Sequence, residues 1–124
     1  MSVNRQDSRV FGSLHMAQIY PIDLTRHPSP FHGGWNPLQP SNDEIQRMCN
    51  AVRNEVQIYE RRIFQVFRAV QYRTQVLSWT THFIKVYVGG NEFVHVKVHK
   101  DIEKNVHLIC YVSGKTGSAP IMYF

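Results

Sequence analysis

Cysteine is scarce in this sequence: its 124 residues include two cysteines, Cys49 and Cys110. The two lie far apart and no C-x-x-C spacing occurs, so the sequence indicates neither a disulfide framework nor a zinc site. We therefore expect two free thiols.

Long apolar runs and dense basic runs are also missing. No segment approaches the roughly 20 apolar residues of a membrane-spanning helix, and residues 1–7 lack the apolar core of a signal peptide. The 14 lysines and arginines exceed the 9 acidic residues, but they are scattered rather than clustered as phosphate binding requires. We expect a cytoplasmic protein that binds neither membranes nor nucleic acid.

The sequence offers little for catalysis. It has no G-x-S-x-G elbow, phosphate-binding loop or paired-carboxylate cleft. His95 and His99 would lie about 13 Å apart on one strand, at roughly 3.3 Å per residue, which is too far for one metal ion. We predict surface histidines, no metal, no cofactor and no enzymatic activity.

The chain does have the pattern of one folded domain with a helix near its start. Residues 1–31 show no sustained period and end in prolines, so we predict a mobile extension there. Ser41 and Glu44 form a capping-box pattern at a helix start. Apolar residues then recur at helical spacing on one buried face, at Ile45, Met48, Cys49, Val52 and Val56.

Strand patterns follow this helix. From Ile63 the apolar period changes to 2, and alternating runs continue over residues 83–88, 93–100 and 106–112. Gly89, Gly90 and Asn91 predict a tight hairpin between two of the runs. One helix before four consecutive strands predicts an α+β domain with an antiparallel sheet.

The turns between the predicted strands should bring apolar residues to one end of the sheet. Alternate turns of an antiparallel meander share one end of the sheet, so the turns near Val76 and Ile102 should lie together. Bare apolar side chains at Val76, Leu77 and Trp79 would favour a docking surface. The alternative is a tip folded back onto its own core.

These residues resemble the stefins, the type 1 cystatins. Residues 33–46 are similar to the stefin trunk and helix start, with paired glycines before Glu-Ile-Gln. Residues 69–76 resemble the first stefin strand almost letter for letter, and residues 83–86 and 95–98 resemble the next two. The resemblance implies a cystatin-like domain over residues 32–124, with one N-terminal helix packed on a four- to five-stranded antiparallel sheet.

The resemblance also implies a function without chemistry. Stefins inhibit papain-like cysteine proteases such as cathepsins by reversible, tight-binding occlusion of the active-site cleft. The expected oligomeric state is a monomer, with a domain-swapped dimer as the alternative. The implied contact residues are Gly33, Gly34, Gln75, Val76, Leu77, Ser78, Trp79, Ile102 and Glu103.

Two contact elements depart from the stefin pattern. The signature Q-V-V-A-G stands here as residues 75–79 with Trp79 in place of glycine, and Asp101-Ile102-Glu103 replaces a Leu-Pro step. Because Trp79 adds bulk where two chains must approach closely, we expect weaker inhibition than with the full signature. The main alternative is a non-inhibitory cystatin-fold binding module with a diverged loop.

Overall fold

Helix α1 spans Asp43–Glu60 in the computed structural model, which describes residues 14–16 and 34–124. The side-chain oxygen of Asn42 accepts the backbone N–H of Ile45 at 2.9 Å and caps the helix. The predicted cap at Ser41 is therefore wrong by one residue. Ser41 instead donates its backbone N–H to the carbonyl of Val70. The helix ends at Glu60, and the capping residue Arg61 adopts the left-handed conformation with φ 59°.

The described residues form an antiparallel sheet on which α1 lies, so the predicted α+β, cystatin-like class is confirmed. Four long strands follow one another as a meander, and two short strands that were not predicted extend its edges. The strand order is β1-β6-β5-β4-β3-β2, with β1 Leu14–Met16, β2 Gln39–Pro40, β3 Arg68–Val76, β4 Thr80–Gly89, β5 Glu92–Lys100 and β6 Val106–Lys115.

The predicted tight hairpin joins β4 to β5. Gly90 and Asn91 both have positive φ, 60° and 61°, which is the pattern of a type I′ turn. This turn lies at the end of the sheet opposite the other two hairpin turns.

The first long strand begins later than its apolar period predicts. Ile63 is exposed, and β3 begins at Arg68. Helix side chains bind the backbone of the intervening segment, since Arg53 donates to the carbonyl of Phe64 at 2.6 Å and Gln46 donates to that of Phe67 at 3.0 Å. These bonds replace the strand pairing that the period suggested.

The core lies between α1 and one face of the sheet. The predicted helix stripe is buried in full, and it packs on alternate residues of the central strands. Cys49 and Cys110 are free and buried, and burial raises the pKa of these thiols to about 12 and about 11. The core includes Ile45, Val52, Val56, Ile84, Val86, Val96 and Val98, as the sequence predicted.

The opposite face of the sheet, which we call the outer face, is also covered. Lys85, which pairs with His95 across the ladder, donates to the carbonyl of Gly117 in the C-terminal segment at 2.8 Å. His95 is only 1% exposed. The prediction of surface histidines is wrong for this residue, because period 2 identifies a second face without showing what covers it.

The predicted extension, residues 1–31, falls outside the described residues except for β1. Strand β1 pairs with the middle of β6, where Met16 lies opposite Cys110. The division into an extension and a domain over residues 32–124 remains a prediction. No helix within the described residues is both long and apolar enough to cross a membrane.

Candidate functional site

The trunk, residues 34–41, starts beside the first hairpin turn and runs antiparallel along the edge of β3 away from it. Val76 donates its N–H to the carbonyl of Gly34 at 3.0 Å, and Asn36 donates to that of Thr74 at 2.9 Å. Trp35 and Gln75 form an isolated bridge between these two bonds. The trunk therefore acts as an added strand that begins beside the first hairpin turn.

Gly34 is the point of closest approach between the trunk and the hairpin. Its φ is +76°, and a Cβ atom there would overlap the carbonyl oxygen of Val76. A side chain would suffer both the left-handed backbone and the overlap. The close pairing of these two segments therefore requires glycine at position 34.

The turn between β3 and β4 presents apolar side chains to solvent. Leu77 donates its N–H to the carbonyl of Trp79 at 3.0 Å, which closes the turn. Val76 is about half exposed, Leu77 is 65% exposed and Trp79 is 58% exposed. These side chains do not fold back into the core, unlike the alternative considered from the sequence.

The turn between β5 and β6 is organised by one carboxylate. Asp101 accepts the N–H groups of Glu103 and Asn105 at 2.9 Å through Oδ1, and its carbonyl accepts that of Lys104. Ile102, at the apex of the turn, is 98% exposed. Asp101 thus builds the turn without a proline.

An aromatic row connects the two turns. The ring of Trp79 lies 5.3 Å from that of His99, which stacks on His107 at 6.2 Å across β5 and β6. His107 Nε2 lies 2.9 Å from Asp101 Oδ2. The hydrogen bond from His107, followed by the backbone N–H of Asn105, lowers the pKa of Asp101 to about 2.

We call the three converging segments the tip: Gly34, residues 76–79 and residues 101–105. The tip has a hydrogen-bonded backbone and exposes apolar side chains from both turns, at Val76, Leu77, Trp79 and Ile102, which suits insertion into a groove of another protein. Within residues 14–16 and 34–124, no three His, Cys, Asp or Glu side chains are grouped to hold a metal ion.

The structure brings the predicted contact residues to one end of the sheet, except for Gly33, which lies outside the described residues. Gln75 is buried and belongs to the tip only through its backbone bridge to Trp35. Ser78 and Glu103 are exposed on their turns. Sequence reasoning missed three supporting residues that strand pairing brings to the tip and that no local motif marks: Trp35, His99 and His107. Asp101 supports its turn through local hydrogen bonds to residues 103–105.

Comparison with known proteins gives a consistent result. A family model described as Cystatin domain matches residues 33–112. The chain is 34% identical to Cystatin-A of Mus musculus over 94 residues and 35% identical to Cystatin-B of Macaca fuscata fuscata over 95 residues, covering in each case 74% of this chain and 97% of the relative. It is 36% identical over 87 residues to Leukocyte cysteine proteinase inhibitor 1 of Sus scrofa, covering 68% of this chain and 84% of the relative.

Proposed function

Because this chain belongs to the cystatin family and, within it, to the stefins, we propose that it is a reversible, tight-binding inhibitor of papain-like cysteine proteases of the cathepsin type. The family consists of inhibitors of cysteine proteases rather than enzymes. The observation that carries the proposal is the convergence of the trunk and two turns into one tip that exposes apolar side chains.

Inhibition by this tip is occupancy of the protease cleft. Leu77 and Ile102 supply apolar surface from two different turns, and the trunk beside Gly34 adds a third line of contact. An interface near the standard size of about 1,600 Å² supports tight binding when its central side chains fit. The catalytic cysteine of the protease is then covered, with no reaction in the inhibitor.

The tip resists cleavage because its backbone is held in a turn. Leu77 donates its N–H to the carbonyl of Trp79 across the apex. A peptide bond fixed in this way does not take the extended geometry that aligns a substrate carbonyl with a nucleophile. We propose the monomer as the inhibitory form and the cytoplasm as its location.

The direct experiment is titration of active-site-titrated papain, or a cathepsin, with the full chain. We expect inhibition that competes with a fluorogenic peptide substrate and reverses on dilution. Leu77→Asp should weaken inhibition by about tenfold or more, because it places a charge in a desolvated interface. Ile58→Asp is a matched control, since Ile58 is equally exposed, at 65%, but lies on α1 away from the tip.

A second candidate is a non-inhibitory binding module that keeps the cystatin fold. Trp79 at the signature glycine and the Asp101-built turn favour it, since two of three contact elements differ from stefins. Absence of inhibition by folded full-length protein, with all tested papain-like enzymes, would support this candidate and contradict the inhibitor proposal.

A further inference from the structure

We propose that the C-terminal residues 121–124 position the inhibitory trunk through Trp35, so that Tyr123 and Trp35 act as positioning residues for the tip. This inference rests on the proposed function. It concerns contacts within this chain, and residues 121–124 need not touch the protease.

Trp35 is anchored on the outer face of the sheet. The Trp35 ring lies edge-on to that of Phe83, with 5.0 Å between the ring centroids. The guanidinium of Arg73 lies over the Trp35 ring, 4.4 Å from its centroid. Arg73 also donates to the carbonyl of Asn36 at 2.9 Å. These contacts attach the residue next to Gly34 to β3 and β4.

The C-terminal residues are anchored on the same face. Ile121 is buried, and the ring of Phe124 meets that of Phe83 at 5.4 Å. Lys97 donates to the carbonyl of Phe124 at 2.7 Å while its ammonium group lies 4.7 Å from the ring of Tyr123. Burial lowers the pKa of Lys97, as expected for an ammonium group enclosed by aromatic rings.

Tyr123 connects residues 121–124 to Trp35. Its ring lies 6.4 Å from that of Trp35 and 5.6 Å from that of Phe83. A continuous row of contacts thus runs from the C-terminal residues through Trp35 to Gly34, and from Gly34 by a hydrogen bond to Val76. This row connects residues 121–124 to the tip.

The trunk needs such support because it is a short edge strand. Its hydrogen bonds to Val76 and Thr74 lie at the surface, where water competes for the same groups. An aromatic pair of the Trp35–Tyr123 kind is worth about two- to tenfold in an equilibrium constant. Loss of Tyr123 should therefore weaken the attachment of the trunk by about that factor while the two turns remain in place.

The test is a double-mutant cycle read by protease inhibition. Tyr123→Ala should raise the inhibition constant by about two- to tenfold, mainly through faster dissociation, and Trp35→Ala should do at least as much. The double variant should be no weaker than Trp35→Ala alone. Tyr123→Phe, which keeps the ring, and Met122→Ala, an exposed neighbour, should match the wild type.

Two results would overturn the inference. One is an unchanged inhibition constant for folded Tyr123→Ala. The other is a double variant whose loss of inhibition equals the product of the two single losses. A fluorescence measurement separates this failure from failure of the proposed function. Trp79→Phe leaves Trp35 as the single tryptophan of the chain. In that background Tyr123→Ala should increase acrylamide quenching of Trp35 whether or not any protease is inhibited, and unchanged quenching contradicts the positioning role.

Discussion

His95 shows how burial sets the chemistry of a single side chain. Burial lowers its pKa to about 4 from an ordinary value of 6.5, and the nearby charges of Lys115 and Lys85 act in the same direction. The histidine is therefore neutral in the folded protein at pH 5–6, whereas in the unfolded chain much of it is protonated at the same pH. The folded state gives up this proton because its charged form would lose hydration.

Stability should fall in acid for this reason. Above about pH 6.5 both states are neutral at His95, and between about 6.5 and 4 the unfolded state binds a proton that the folded state does not. The free energy of unfolding should drop by up to about 3 kcal/mol across that window. Urea unfolding at pH 7 and pH 4.5 measures the drop, and His95→Leu should reduce it.

Asp101 titrates in a separate window and serves as the internal comparison. Its lowered pKa of about 2 means that its stabilising effect is complete above about pH 4 and is lost only towards pH 2. A pH profile unaffected by His95→Leu would assign the acid transition to carboxylates and contradict the role of His95.

Trp79 presents two competing effects at the tip. Its φ is negative, so the backbone there needs no glycine, and its ring rests on His99. The ring nevertheless remains 58% exposed beside the residues that must enter a cleft. We expect Trp79→Gly, ideally with Ser78→Ala, to lower the inhibition constant by about tenfold.

The measurement compares the inhibition constants of wild type and variant against one protease, with circular dichroism as the control for folding. Tight inhibition by the wild type and weaker inhibition by the glycine variant would show instead that the indole is an anchor inserted into the enzyme.

At the scale of elements, the packing of α1 on the sheet carries most of the apolar burial. Val52 lies at the centre of the helix stripe and is fully buried against the central strands. Val52→Ala should lower the free energy of unfolding by about 1–3 kcal/mol, because it leaves a small cavity. Denaturant unfolding checks this, with Arg47→Ala on the exposed helix face expected to change stability by less than about 0.5 kcal/mol.

Strand β1 is the element through which the predicted extension meets the domain. Among the described residues of the extension, three pair with β6, so few ladder hydrogen bonds depend on β1. Deletion of residues 1–31 should therefore change the melting temperature by no more than a few degrees. A large fall in a calorimetric scan would mean that the extension is part of the folded core.

The elements differ in how far the sequence predicts them. The helix stripe and the four long strands follow from local periodicity, since each spans enough residues for its period to be read. Strands β1 and β2 contain three and two residues, too few to show any period. Residues 63–67 carry a strand-like period but are bound by helix side chains, a tertiary effect that no local pattern contains.

For the whole molecule, the sequence predicts which segments meet at the tip but not how they are held there. The order of turns in a meander places Leu77 and Ile102 at one end. The row from Trp79 through His99 and His107 depends on the register between β5 and β6, and the C-terminal cover of the outer face depends on a segment with no period. The residues missed are therefore those that act through long-range contacts.

The Gly90–Asn91 turn has a practical consequence for the whole molecule. Strand β4, ten residues long, separates this turn from the tip by about 33 Å, at roughly 3.3 Å per residue. Both turn residues are exposed, and turns of this kind tolerate insertions. A fluorophore, an affinity tag or a surface-immobilisation linker placed here would leave the opposite end of the sheet unobstructed.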